Sequence, residues 1–386
     1  CDLQDEWCNK QNFQEVSFMS NNPHFKNYEN KIILGKINEK EDNEEFDSIV
    51  FANKEIESIT IPSNIKKISP YAFAYNYINK IEFLQNSNLQ IIGKCAFFNI
   101  RIRKIFIPRS VKRICKGAFQ WCSSLENIEF SQDSELQTIE AEAFSYSMIE
   151  KISIPSNVVE LQKAWCWAIN FEVKIMEKNS HFKNFGDMVL GKSNDDLEEF
   201  DVIVFSKRSV KNIIIPSFIK KIAPYSFARS SITDIFLPKQ VTEIQEGAFD
   251  QCNSLHNVEI EKNSELKLLE KFCFLLTKIC EFCIPSHLKE INKRAFYSCN
   301  NLQKVMIPND SELQIIKADA FANTSIKSLF IPKCFMQISD GAFLCQSLQI
   351  VQIEDCSKVQ LNIKKVFGEN SKAIIMTQKP IEDYSI

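Results

Sequence analysis

"IPSNIKKISPYAFAYN", residues 61–76, returns as "IPSFIKKIAPYSFARS" at 215–230, identical at 11 of 16 positions and displaced by 154 residues. What survives the duplication is mostly apolar or turn-forming: Ile61, Pro62, Ile65, Ile68, Pro70 and Phe73 all recur. Looser versions fill the interval, with the consensus I-x-x-I-x-I-P-x-x-V-x-x-I-x-x-x-A-F followed by a polar turn. The "I-x-I/F" core ends at Ile61, Phe83, Ile107, Phe130, Ile154 and Ile175, then at Ile215, Leu237, Ile260, Ile284, Ile307, Ile331 and Ile353. Successive spacings are 21 to 24 residues, apart from the 40-residue gap between Ile175 and Ile215. Alternate units differ, those after Ile61, Ile107 and Ile154 opening with Pro and those after Phe83 and Phe130 with a polar loop, so the true period is the 46 residues from Ile61 to Ile107.

A fixed period of this length is the mark of a solenoid. Each unit reads as one coil: a short strand, a Pro that ends ladder pairing, then apolar anchors and an Ala-Phe pair on the return path. In "KIFIPRSVKRICKGAFQWC", Ile105, Ile107, Val111, Ile114 and Phe119 are expected to point inward. One coil cannot bury that set alone, so neighbouring coils must stack around a shared core. The bulk composition agrees: 386 residues, 45% hydrophobic and 25% charged, suit a large buried core. A formal charge of -3, with Lys and Arg scattered among Glu and Asp, disfavours nucleic acid as a partner. No apolar run reaches the roughly 18 residues of a membrane helix.

The "IP-x-x-V-x-x-I-x-x-x-AF" units, the "NSELQ-x-I" coils and "NPHFKNYENKIILGK" resemble the BspA-type leucine-rich repeat proteins, especially the surface-antigen family of trichomonad parasites. The resemblance runs from about residue 7 to 366. It implies an α/β-type solenoid, a leucine-rich-repeat horseshoe with one short parallel strand per coil and little regular helix. It also implies adhesion or protein binding at the cell surface, or as a secreted protein. Periodicity by itself supports only a scaffold capable of binding.

Residues 22–52 and 180–206 interrupt the coils. Each has two apolar strands around an acidic turn, "KIILG" with "FDSIVF" and "DMVLG" with "FDVIVF", and reads as a projecting antiparallel hairpin. "WCNKQNFQEV" at 7–16 aligns with "WCWAINFEV" at 165–173, which gives two tandem blocks, 1–166 and 167–386, in one continuous solenoid. The first residue then falls inside a coil, and further repeats are expected upstream unless residues 1–12 form an improvised cap. Residues of about 355–386 lose the Ala-Phe pair and are expected to close the core as a capping strand.

Of 14 cysteines, Cys122, Cys252 and Cys299 share one slot, three residues after Phe119, Phe249 and Phe296. They are expected to be buried free thiols that satisfy backbone groups or fill space. Cys280 and Cys283 form the single C-x-x-C; three apart on a strand, their sulfurs would face opposite sides, and no second pair stands at zinc-ligand spacing. His24 and His181 hold equivalent positions in the two inserts and read as structural. With eight glycines and no phosphate loop, nucleotide fingerprint or nucleophile elbow, no enzyme, cofactor or metal is expected.

A ligand would meet the middle residue of each "I-x-I". These are Thr60, Glu82, Phe106, Glu129, Ser153 and Lys174 in the first block, then Ile214, Phe236, Glu259, Cys283, Met306, Phe330 and Gln352 in the second. Phe106, Ile214, Phe236, Met306 and Phe330 are the candidate ligand surface. Coils about 4.8 Å apart would align Phe236 through Phe330 as an apolar stripe of roughly 20 Å. The function expected is a non-enzymatic recognition or adhesion module for a protein or host-cell ligand, with self-association or no specific role for the stripe as alternatives. The competing class is an intracellular scaffold in a reducing, cytoplasmic setting, favoured by the thiols and by an opening "CDLQDEWCNK" that lacks a leader pattern.

Overall fold

The computed structural model describes residues 22–37, 45–167, 171–194, 196, 198–332, 337–354, 363–368 and 374–376. It divides into two units, Cys1–Asn184 and Phe185–Ile386. Each is a stack of coils built almost wholly of parallel β-strands, and the described residues hold one helix, Ile363–Phe367.

The expected strand is present in the regular coils, except at Ile213–Ile215, where a single bridge from Asn212 to Asp234 takes its place. In the first unit these long strands are Ser58–Ile61, Lys80–Phe83, Lys104–Ile107, Asn127–Phe130, Lys151–Ile154 and Glu172–Ile175. Alternation explains them: in Lys104–Ile107, Ile105 and Ile107 are buried while Lys104 and Phe106 are exposed. Pro108 then ends the strand and accepts the Val111 N–H at 3.2 Å, and the turn drops Val111 into the core. The second unit repeats this from Asp234–Leu237 to Ile350–Ile353. Ile374–Met376 pairs parallel with Ile350–Ile353; most of 355–386, expected as a cap, lies outside the described residues, as do the acidic turn of the first insert and the coil containing residues 7–16.

The structure adds a second strand to each coil. Two-residue strands, Lys67–Ile68, Ile91–Ile92, Arg113–Ile114, Thr138–Ile139 and Glu160–Leu161, form their own parallel ladder in the first unit. Lys221–Ile222 through Gln337–Ile338 do so in the second. A strand this short has no period to reveal it in sequence, so most coils carry two strands where one was expected.

The Ala-Phe turn makes a third bonded flank. Tyr71 and Tyr75 both have φ of 60°, and the N–H groups of Tyr71, Phe73 and Tyr75 donate to Lys94, Ala96 and Phe98 of the next coil, while those of Ala72 and Ala74 turn back within their own. Alternate N–H groups therefore bond across coils even though this segment is not a strand, which leaves its buried backbone satisfied. The phenylalanines stack in register, Phe73–Phe97–Phe119–Phe144 at centroid separations of 5.3, 5.1 and 5.5 Å. In the second unit Phe227, Phe249, Phe274, Phe296, Phe321 and Phe343 continue at 4.9 to 5.3 Å. The neighbouring Ala72, Ala96, Ala118 and Ala143 are buried, and their small side chains let the rings lie close. Each ring removed from water contributes about 1.5–3 kcal/mol.

The two hairpins do not project. Ile32–Gly35 pairs antiparallel with Ser48–Ala52 as expected, but Ser48 and Ile49 then pair parallel with Lys67 and Ile68, so the hairpin extends the short-strand ladder. Val202–Ser206 does the same, antiparallel to Met188–Gly191 and parallel to Lys221–Ile222. Both hairpins shift register at the same place, between Ile33 and Leu34 and between Val189 and Leu190. The returning strands are buried on both faces, which a projecting hairpin could not achieve.

Candidate recognition face

The long strands turn their first and third residues outward. The candidate residues occupy third positions, and the pairing aligns them: Phe106 opposite Glu129, Phe236 opposite Glu259, Cys283 opposite Met306, and Phe330 opposite Gln352. Phe106 and Phe236 are exposed, Met306 and Phe330 half-buried. Ile214 stands in irregular backbone just past the bridge from Asn212 to Asp234, and it is 87% exposed. These residues lie on outward positions but do not form a continuous stripe. Glu259 separates Phe236 from the Cys283, Met306 and Phe330 group, and Phe106 belongs to the first unit. Asp234 and Lys304 flank the row on the same face.

In the first unit the outward row is polar and ion-paired apart from Phe106. Lys80 meets Glu82 at 2.8 Å, Lys104 meets Glu129 at 2.8 Å, and Lys151 meets Glu172 at 3.5 Å. Hydrogen bonding by Lys104 holds the Glu129 carboxyl below its ordinary value. At the last strand, Asn184 accepts the Ile175 N–H at 2.7 Å and donates to the Val173 carbonyl at 2.7 Å. One side-chain amide thus does for that edge what a further strand would do.

Sequence reasoning missed an aromatic rim on the first unit. Trp121 is exposed and stacks on Tyr146 at 4.2 Å with 14° between the planes, and Tyr146 meets Trp167 edge-on at 5.8 Å. Trp121 and Tyr146 have φ of 62° and 60°, a conformation bulky residues adopt at a cost. Nearby, Arg101 lies over the exposed Tyr77 at 4.7 Å. The signal was available in the slot two residues after the stacked Phe, which reads Tyr75, Asn99, Trp121 and Tyr146 in one block and Arg229, Gln251, Leu276 and Ser298 in the other.

The cysteine slot is buried as expected. The Cys122, Cys252 and Cys299 thiols each donate to the carbonyl of the stacked Phe one coil earlier, all at 3.0 Å. Burial pushes the thiols to about 12, 11 and 12 respectively. Cys280 and Cys283 do not share a strand as expected: the strand is Glu281–Cys283, Cys280 lies before it, and both residues are exposed. Among the described residues no three His, Cys, Asp or Glu side chains gather as a metal site. The inserts' histidines sit in matched turns, where Asn22 accepts the N–H groups of His24 and Phe25, and Asn179 those of His181 and Phe182.

The family model for the BspA-type leucine-rich repeat region matches at residues 44–168, 178–280 and 267–371. Among solved structures, the pneumococcal vaccine antigen PcpA is 22% identical, with 86% of this chain and 78% of that one covered and a TM-score of 0.59. A leucine-rich cell surface protein of Faecalibacterium prausnitzii is 16% identical, with 94% and 97% covered and a TM-score of 0.49. No curated protein matches the chain.

Proposed function

The chain belongs to the BspA-type leucine-rich repeat family, and we propose that it is a recognition module that binds a protein ligand through the outward face of the long strands of its second unit. The fold is a repeat scaffold of the kind that serves protein interaction. The observation that carries the reading is the exposure of Ile214 and Phe236, with Met306 and Phe330 on the same row, where the first unit presents Phe106 alone among Thr60, Glu82 and ion-paired charges. Apolar residues ringed by charges such as Asp234 and Lys304 give the composition of a protein-binding patch. Adhesion at a cell surface is the setting we favour, on the resemblance to trichomonad surface antigens and on the vaccine antigen among the similar structures.

The test is capture of host-cell surface proteins by the purified chain and by a Phe236→Lys/Phe330→Lys variant. Both variant residues stand on an outward row, so folding is expected to persist and capture to be lost. Equal capture by the two forms would refute the face. A second reading, an intracellular scaffold, rests on the buried thiols of Cys122, Cys252 and Cys299, each held as a hydrogen-bond donor. Surface labelling of intact cells separates the two settings: labelled protein excludes the scaffold, and label found only after lysis excludes the adhesin.

A further inference from the structure

Charge in the first unit is sorted by coil. Between Glu82 and Glu126 the chain carries eight basic residues and no acidic one; between Lys116 and Lys151 it carries seven acidic residues and no basic one. The basic stretch covers the whole of coil 101–122, and the acidic one the whole of the next coil, 125–147. Arg103 meets Glu126 at 2.8 Å, Lys104 meets Glu129 at 2.8 Å, and Arg109 meets Asp133 at 2.9 Å and Glu135 at 3.4 Å. Farther round, Arg113 meets Glu140 and Lys116 meets Glu142, each at 3.7 Å. The pairs follow the joint from the long strand, through the turn and the short strand, to the Ala-Phe turn. The second unit has no such sorting: Lys221 pairs forward to Glu243 and Arg294 to Asp319, whereas Lys271 pairs back to Glu246 and Lys317 to Glu290.

Apolar packing cannot tell one coil from another here. Nearly every coil presents aliphatic anchors, a stacked Phe and the same backbone ladders, so a slip by one two-coil period, or an exchange with a second copy, would largely preserve them. Misassembly of this kind is the characteristic failure of repeat arrays. Charge does discriminate. A basic coil stacked on any coil but the acidic one loses six ion pairs, and stacked on its own copy it sets like charges one coil spacing apart. Each exposed pair contributes little alone; the sum over a whole joint is what selects the neighbour.

We propose that the joint between coil 101–122 and coil 125–147 is an electrostatic register lock, which makes each coil select the other as its stacking partner and keeps the array from closing out of step.

The experiment refolds the full chain and reads native-state hydrogen exchange at the Phe119 and Trp121 amides, which donate across this joint to Ala143 and Ser145 at 2.8 and 2.9 Å. Size exclusion gives the ratio of monomer to associated forms alongside. Three proteins are compared: wild type, Arg103→Glu/Lys104→Glu/Arg109→Glu, and that triple with Glu126→Lys/Glu129→Lys/Glu135→Lys added. All six positions carry solvent-accessible side chains. The triple variant is expected to lose protection at both amides, with a shift of about tenfold toward associated forms, and the six-site variant to recover both. Wild type refolded in 1 M salt should shift the same way, since salt screens exposed pairs. Wild-type protection in the triple variant, or no recovery in the six-site variant, would overturn the lock.

Discussion

The Cys299 thiol donates to the Phe274 carbonyl oxygen at 3.0 Å, reaching from one coil to the one before it. Thr277 donates to the same oxygen at 3.0 Å and lies 3.2 Å from the Cys299 sulfur. The arrangement recurs at Phe321, where Thr324 and Cys345 donate at 2.8 and 3.1 Å. Cysteine and threonine thus share one task, satisfying a carbonyl that the stacked Phe turns into the core.

Thiol reactivity should follow from this. Alkylation of the native protein near pH 8 is expected to mark Cys280 and Cys283 and to spare Cys122, Cys252 and Cys299, whose burial keeps them protonated. Peptide mass mapping before and after denaturation checks it; native labelling of Cys299 would contradict the structure. Cys299→Ala should cost about 1–2 kcal/mol through lost volume and a lost donor, moderated because Thr277 still holds the carbonyl.

Asp250 is buried between coils, and its Oδ1 meets no hydrogen-bond donor. Burial raises its carboxyl from 3.8 to about 6, with Gln251 and Arg229 giving partial relief. A folded value above the unfolded one means that the group favours folding below about pH 4 and that this contribution is lost as pH rises through about 6. Asp250→Asn should therefore raise stability at pH 7.5 by roughly 1–3 kcal/mol, with the gain shrinking at pH 4.5. Urea unfolding of the two proteins at both pH values tests the sign, and an equal difference at the two would show that proton linkage is not the cause.

Gly247 opens the Ala-Phe turn at φ 58°, and a Cβ there would stand 2.4 Å from Cε1 of Tyr225. Gly247→Ala should destabilise by about 1–3 kcal/mol, from the left-handed backbone and from displacement of a ring whose hydroxyl donates to Glu246 at 3.0 Å. Thermal melting reads the effect; an unchanged midpoint would show that the turn relaxes freely.

Asp201 is fully buried in the second hairpin, where it accepts the Ser193 N–H at 2.8 Å and the Ser193 hydroxyl at 2.7 Å, with Lys220 at 3.6 Å. The first hairpin repeats the device with Asp47, which accepts the Ile37 N–H at 2.9 Å and pairs with Lys66 at 3.3 Å. Asp201→Ala should cost about 2–3 kcal/mol and expose the hairpin to limited proteolysis before the coils. Simultaneous cleavage of hairpin and coils would show that the hairpin does not open on its own.

The sequence by itself determined the coil. Ile105 and Ile107 alternate with Lys104 and Phe106, Pro108 ends the strand, and Phe119 recurs as Phe144 in the next coil; those are local patterns whose period is fixed by which side chains must leave water. The outward direction of Phe106 and Phe236 follows from the same alternation. Only the tertiary structure decided what each coil meets next. The two-residue strand Arg113–Ile114 exists because Ile91–Ile92 and Thr138–Ile139 lie on either side of it, the hairpin strand Ser48–Ala52 becomes part of a ladder because Lys67–Ile68 pairs with it, and Glu259 breaks the apolar row because register sets it beside Phe236. These are pairings between residues some 20 apart in the chain, made by backbone groups that every residue carries alike, so the side-chain sequence holds no local mark of them.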